Sequence, residues 1–325
     1  MQPRGDPLSL KGVKYCLLTL IPAALLAQST AITTSVDING NHVQSSLFST
    51  GKEGERTELS QSINGRLVPK EQTESRVLSE TPSEKVTETL DRKFDQNGQL
   101  VSIERTLTTE RKLPGGGTTT AVSIYRSDVN GAIPEVERRT TETQPHGPGN
   151  VTSDITIARP ANNGRFEVVE QRKIVTTTEA EHTREDQTVY LKSLSGDFLA
   201  KRKTVTESQK SDHRKETSVA NYESDYTGRM ALLNSETQVA TVSSDGQQIV
   251  QRNIYASASD GVPRDEQGGQ KIKEQQMIVR TPGPDGSFTE TVSVRRPTLA
   301  DQSHLGPPTQ ISETVCTGKC EIGKP

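Results

Sequence analysis

Cys316 and Cys320, in Cys-Thr-Gly-Lys-Cys, are the residues best placed for covalent chemistry. In an oxidising compartment such a close pair forms a local disulfide more readily than a metal site. Structural zinc needs four ligands, and only His304 stands nearby. Free thiols, or a redox or metal role, are the competing readings. Four glutamates, Glu71, Glu104, Glu137 and Glu170, recur at one interval. Paired carboxylates can hydrolyse a glycosidic bond when suitably separated. Here each is followed by Gln72, Arg105, Arg138 or Gln171, which suits cross-strand ion pairs of about a few tenths of a kcal/mol each. A charge ladder for a ligand is the functional alternative. His42, His146, His182, His213 and His304 share no phase and no metal-ligand spacing, so they read as solvated residues. No Gly-x-Ser-x-Gly elbow occurs, and the Gly115 to Gly117 run precedes no helical pattern. We therefore expect no enzyme, no cofactor and no metal.

The elements that carry these residues are set by a repeat. Gly65, Gly98, Gly131, Gly164, Gly196, Gly228 and Gly261 stand roughly 33 residues apart, the signature of an internal-repeat architecture. Asn64, Asn97, Asn130 and Asn163 precede the first four. A large apolar residue follows two places on: Leu67, Leu100, Ile133, Phe166, Phe198, Met230. Midway through the units lies a second turn signal, such as Thr81-Pro82-Ser83, Gly115-Gly116-Gly117, Gly147-Pro148-Gly149 or Asp245-Gly246. Between the turns the chain is rich in Thr, Val, Glu, Arg and Ser, which favours strands.

Asn-Gly between strands predicts a two-residue type I′ turn. Counting outward from Asn130-Gly131 sets Val129 opposite Ala132, Tyr125 opposite Val136 and Ile124 opposite Glu137. The same count sets Ile157 opposite Glu170 and Tyr222 opposite Leu233. Leu100, Ile133, Phe166, Phe198 and Met230 are then expected to form the only continuous hydrophobic stripe, with Ile124, Ile157, Val189 and Ile254 on the same face. Tyr125, Tyr190, Tyr222 and Tyr255 fall on the other. Glu170 is expected to be a solvated rung. The fold expected is all-β: an antiparallel meander of about seven to eight hairpins, forming an elongated twisted sheet or an open barrel.

Composition bounds the rest. Of 325 residues only 30% are hydrophobic and 3% aromatic, with no tryptophan. That suits a thin sheet better than a thick globule. Lys11 and Lys14 followed by the apolar run Tyr15 to Ala27 look like a secretory signal, cleaved after Ala27 or Ala31. Cys16 lies inside that run, and Arg4-Gly5-Asp6 lies ahead of it. Losing residues 1–27 removes Arg4, Lys11, Lys14 and Asp6, which moves the net charge from -3 to -5. Such a surface gives no electrostatic reason to bind nucleic acid. The division expected is 1–27 signal peptide, 28–297 hairpin-repeat domain and 298–325 flexible tail with the Cys316/Cys320 pair. No helical membrane span is expected after signal removal. The function expected is that of an exported, periplasmic or extracellular, non-enzymatic scaffold or binding surface for a protein or glycan partner. An outer-membrane β-barrel is the first alternative and a secreted hydrolase the second.

Overall fold

The computed structural model describes residues 30–36, 42–49, 54–63, 66–255, 271–298 and 304–317. The expected signal peptide, Gly65, Gly261, Cys320 and the segment around 262–268 lie outside them. Eighteen strands form one sheet. They are β1 (Thr30–Val36), β2 (His42–Ser49), β3 (Glu55–Ile63), β4 (Arg66–Glu80), β5 (Glu84–Phe94), β6 (Leu100–Lys112), β7 (Thr118–Arg126), β8 (Glu135–Pro145) and β9 (Asn150–Pro160). The others are β10 (Phe166–Glu179), β11 (His182–Lys192), β12 (Phe198–Ser211), β13 (Arg214–Ser224), β14 (Met230–Val242), β15 (Gln248–Tyr255), β16 (Ile272–Pro282), β17 (Phe288–Arg295) and β18 (Thr309–Thr317). One 3₁₀ turn at Pro284–Gly286 is the only helical element among the described residues. Each strand pairs antiparallel with the next, as the meander reading requires. In addition β1 pairs with β18, so the two ends of the meander meet. Residues 309–317 are therefore not part of a flexible tail: β18 pairs with both β17 and β1.

The Asn-Gly turns at 97–98, 130–131 and 163–164 are not of type I′, whereas Asn64-Gly65 lies outside the described residues, between Ile63 and Arg66, which pair directly. A type I′ turn needs positive φ at both central residues. Gly98, Gly131 and Gly164 have φ of 80°, 79° and 76°, whereas Ala180 is the one described non-glycine residue with positive φ. These three turns are instead three-residue loops, each a type I turn followed by glycine in the left-handed region. Gly131 donates its N–H to Asp128 O at 3.1 Å and Asp128 donates to Ala132 O at 2.8 Å. The same two bonds recur at Asp95–Gln99, Ala161–Arg165, Ser193–Asp197 and Asp225–Arg229. Two-residue loops do occur, at the opposite ends of the strands, where Glu179 pairs with His182 and Ser211 with Arg214.

A second irregularity recurs beside each of these turns. One strand of the hairpin carries an extra residue that the ladder register skips: Lys70, Val101, Val136, Val169, Lys201, Leu233, Lys273 or Ile311. Such bulges bend the strand and raise its twist. They also explain the register. The longer loop shifts the pairing by one residue, so Tyr125 faces Glu135 rather than Val136, and Tyr222 faces Leu232 rather than Leu233. Val129 and Ala132 sit within the turn region rather than facing each other in strands. Past the bulge the shift is undone, and Ile124 faces Glu137 and Ile157 faces Glu170 as counted.

The same offset relocates the core. Ile124, Ile157 and Val189 are buried, together with Val68, Ala240, Phe288, Val294 and Cys316. The column that follows the glycine is not the core: Leu67 and Leu100 are half exposed, at 51% and 50%. Ile133 is exposed as well, and Phe166, Phe198 and Met230 are only partly covered. These residues lie between turn and bulge, in the stretch where the pairing is displaced.

Candidate functional site: an ionic sheet surface

The strands beyond the bulges carry arginine and glutamate on alternate positions, and these meet across the ladder. Glu104 faces Arg126 directly and accepts its Nε–H at 2.5 Å. Glu137 accepts from Arg139 on its own strand and from Arg159 on the next, each at 3.0 Å. Glu170 is buried, contrary to the solvated rung expected of it, and accepts the Nε–H of Arg172 at 2.5 Å. That partner is two residues along the same strand, so this rung is not a cross-strand pair. Glu71, the first of the column, is half-buried.

Glu88 is the other buried carboxylate, and sequence spacing did not single it out. It lies off the glutamate column, in the middle of β5. Arg105 Nε donates to its Oε1 and Arg76 Nε to its Oε2, both at 2.6 Å. The hydrogen bond from Arg105, and after it that from Arg76, hold its pKa below the usual carboxylate range despite burial. Its signal in the sequence is Arg76 at the facing position on β4 and Arg105 two residues from the facing Leu107 on β6, which becomes visible only once the register is known. Burial would raise the Glu137 carboxyl, but Arg139 and Arg159 outweigh it and the net shift is downward. Glu135 is lowered by its hydrogen bond from Arg138, which also stacks 4.0 Å over the Phe166 ring.

A cleft of about 870 Å³ opens across β3, β4 and β5, lined by Arg56, Glu74, Arg76, Glu88, Leu90 and Arg92 among others. Its cations already have anions: Arg92 sits 3.1 Å from Glu74, Arg56 3.2 Å from Glu58 and Arg76 2.5 Å from Glu88. The Arg56 Nε is buried without a hydrogen-bond partner. Chemically the cleft is a neutral lattice of alternating charge, suited to polar or zwitterionic contacts.

Cys316 is buried and disulfide-bonded. Cys320, the other half of the expected pair, lies outside the described residues. His146, His182, His213 and His304 are exposed and scattered. Among the described residues no group of three or more His, Cys, Asp or Glu side chains could hold a metal ion. Nor is any described helix long and apolar enough to cross a membrane.

No protein-family model matches the chain, and no curated protein matches it. Among solved structures it is similar to the crystal structure of a porin-like protein from Bacteroides uniformis. The identity is 10%, with 89% of this chain and 96% of that chain covered, at a TM-score of 0.24. At that score the likeness carries no argument about fold or function.

Proposed function

We propose that this chain is an exported, non-enzymatic β-repeat protein that presents its ionic sheet as a scaffold or binding surface in the cell envelope or outside the cell. The observation that carries the reading is the state of the carboxylates. Glu88, Glu104, Glu137 and Glu170 are each engaged by arginine. Glu88 and Glu137 are held below the usual carboxylate range. A general acid needs the opposite shift, toward neutral pH. Paired charges at regular spacing instead offer a partner many weak, directional contacts, which suits a polar protein surface or a glycan.

The meeting of β1 with β18 favours the outer-membrane barrel as a second reading, since membrane barrels leave no free edge. The side chains weigh against it. In β8 the exposed alternate positions are Arg138, Thr140, Glu142 and Gln144, and in β10 they include Gln171 and Lys173. A lipid-facing strand needs apolar residues there. Cell fractionation tests the two readings. Release in soluble form is expected, and recovery that depends on detergent would overturn the proposal in favour of the barrel.

A further inference from the structure

The place where the two ends of the sheet meet differs from the rest of the meander in three ways. First, the pairing is short: β1 joins β18 over five residues, Ile32–Val36 against Glu313–Thr317, whereas β11 and β12 pair over eleven. Second, charge is almost absent. β1, β2 and β18 hold one formal charge between them, Glu313, in a chain that is 25% charged. β12 alone carries Lys201, Arg202, Lys203, Glu207 and Lys210. Third, the β1–β2 hairpin runs without a register shift. Every later hairpin at that end of the sheet has one, from β3–β4 to β17–β18. Charges and bulges are the devices by which β-proteins keep strand edges from pairing with other molecules. The seam strands β1 and β2 lack both.

From these three differences we propose that β1 is an exchangeable strand: it can leave its place between β2 and β18 and fill the same place in a second copy of this chain. The slot accepts only an antiparallel strand of matching register, and β1 of another copy supplies the same uncharged sequence, Thr-Ala-Ile-Thr-Thr-Ser-Val. Exchange of an identical element requires no new interface and links copies through contacts already used within one chain. No other partner is needed, so the proposal goes beyond the scaffold reading and does not rest on it. Ring-wise exchange gives closed oligomers, and open exchange gives chains of molecules.

The test uses two full-length mature chains, one carrying Ser35→Cys and the other Thr314→Cys, positions that face each other in the β1–β18 ladder. They are unfolded together, refolded at rising concentration and treated with a short bis-maleimide, which leaves the native disulfide untouched. Cross-linking between these two positions then requires two molecules. The expected result is a covalent heterodimer, about tenfold or more above a control pairing Thr314→Cys with Ser195→Cys on an exposed turn, and increasing with concentration. The double variant Ser35→Cys/Thr314→Cys, refolded dilute, is expected to cross-link within one chain and so report the seam itself. A heterodimer yield no greater than the control overturns the proposal, and so does a double variant that fails to cross-link. Detergent-dependent recovery in fractionation would remove the scaffold reading and leave this one standing.

Discussion

Within each hairpin the short stretch between the glycine turn and the bulge differs from the long stretch beyond it. The short stretch leaves its larger apolar side chains Leu67, Leu100, Ile133 and Leu199 exposed, with Val68 and Val294 as its buried exceptions. The long stretch holds arginine and glutamate, yet it contains Ile124, Ile157, Val189 and both buried carboxylates. Hydrophobicity therefore does not locate burial in this sheet. Register does, because the bulge decides which side chains face a fully paired neighbour. Of the buried residues on strands entering the turn, Ile124 and Ile157 face glutamates that arginines neutralise, and Val189 faces Arg172 and Arg202.

That contrast can be broken at several strengths. The largest effect is expected from Gly149→Ala, at the end of the hairpin away from the bulges. Gly149 has φ of 76°, and a Cβ there would stand 2.1 Å from the backbone O of Thr178, so backbone must move. A loss of about 3 kcal/mol or more is expected in urea denaturation. Gly131→Ala, with φ of 79° and open space around it, should lose only about 1–2 kcal/mol. Equal losses at the two positions would mean that the close approach to Thr178 is not real.

Glu170→Ala comes next. It strands Arg172, whose side chain is 34% exposed and can rehydrate, so about 1–2 kcal/mol is expected rather than the larger cost of an isolated buried charge. Glu167→Ala, exposed in the stretch between turn and bulge, should change stability by less than about 0.5 kcal/mol. The pH profile sharpens the same point. Glu88 is lowered first by the hydrogen bond from Arg105, Glu135 by that from Arg138 and Asp186 by that from Arg184. Groups depressed in the folded state contribute stability that is fully present above the unfolded carboxylate pKa of about 4 and is lost as pH falls through their folded values. Melting temperature should therefore hold from neutral pH to about 5 and decline below about 4. A decline already complete above pH 5 would contradict the ion-pair ladder.

The smallest effect is expected at a turn. Asp95 Oδ1 accepts from the N–H groups of Asn97 and Gln99, each at 2.8 Å. The hydrogen bond from Gln99, the larger cause, and that from Asn97 lower its pKa. Asp95→Ala should lower the melting temperature slightly, and Asp95→Asn less, because an amide oxygen accepts the same bonds. Differential scanning calorimetry resolves the two.

Much of the fold was legible because the repeat is long and its turn residues are specific. The meander, the turn positions and two of the counted pairings, Ile124 with Glu137 and Ile157 with Glu170, follow from glycine spacing alone. Those pairings hold although the turns are three-residue loops rather than type I′ turns. A three-residue loop displaces the ladder by one and the bulge displaces it back, so two unseen irregularities cancel beyond Val136 and Val169. Between turn and bulge they do not cancel, and there Tyr125 and Tyr222 were matched to the wrong partners and the stripe through Leu100 and Ile133 was misplaced. A bulge has no composition of its own, as Lys70, Val101, Lys201 and Leu233 illustrate. β18 was missed because Thr309 to Thr317 follows a proline-rich stretch and lies outside the glycine period.

The central claim is that burial follows the register beyond the bulge, and it is tested most directly by urea denaturation of Ile157→Ala beside Leu100→Ala. Ile157 is 1% exposed and Leu100 50% exposed. Ile157→Ala is expected to cost about 3 kcal/mol and Leu100→Ala less than about 1 kcal/mol. If Leu100→Ala proved the more damaging, the column that follows the glycine would be the core after all, and the register described for these hairpins would be wrong.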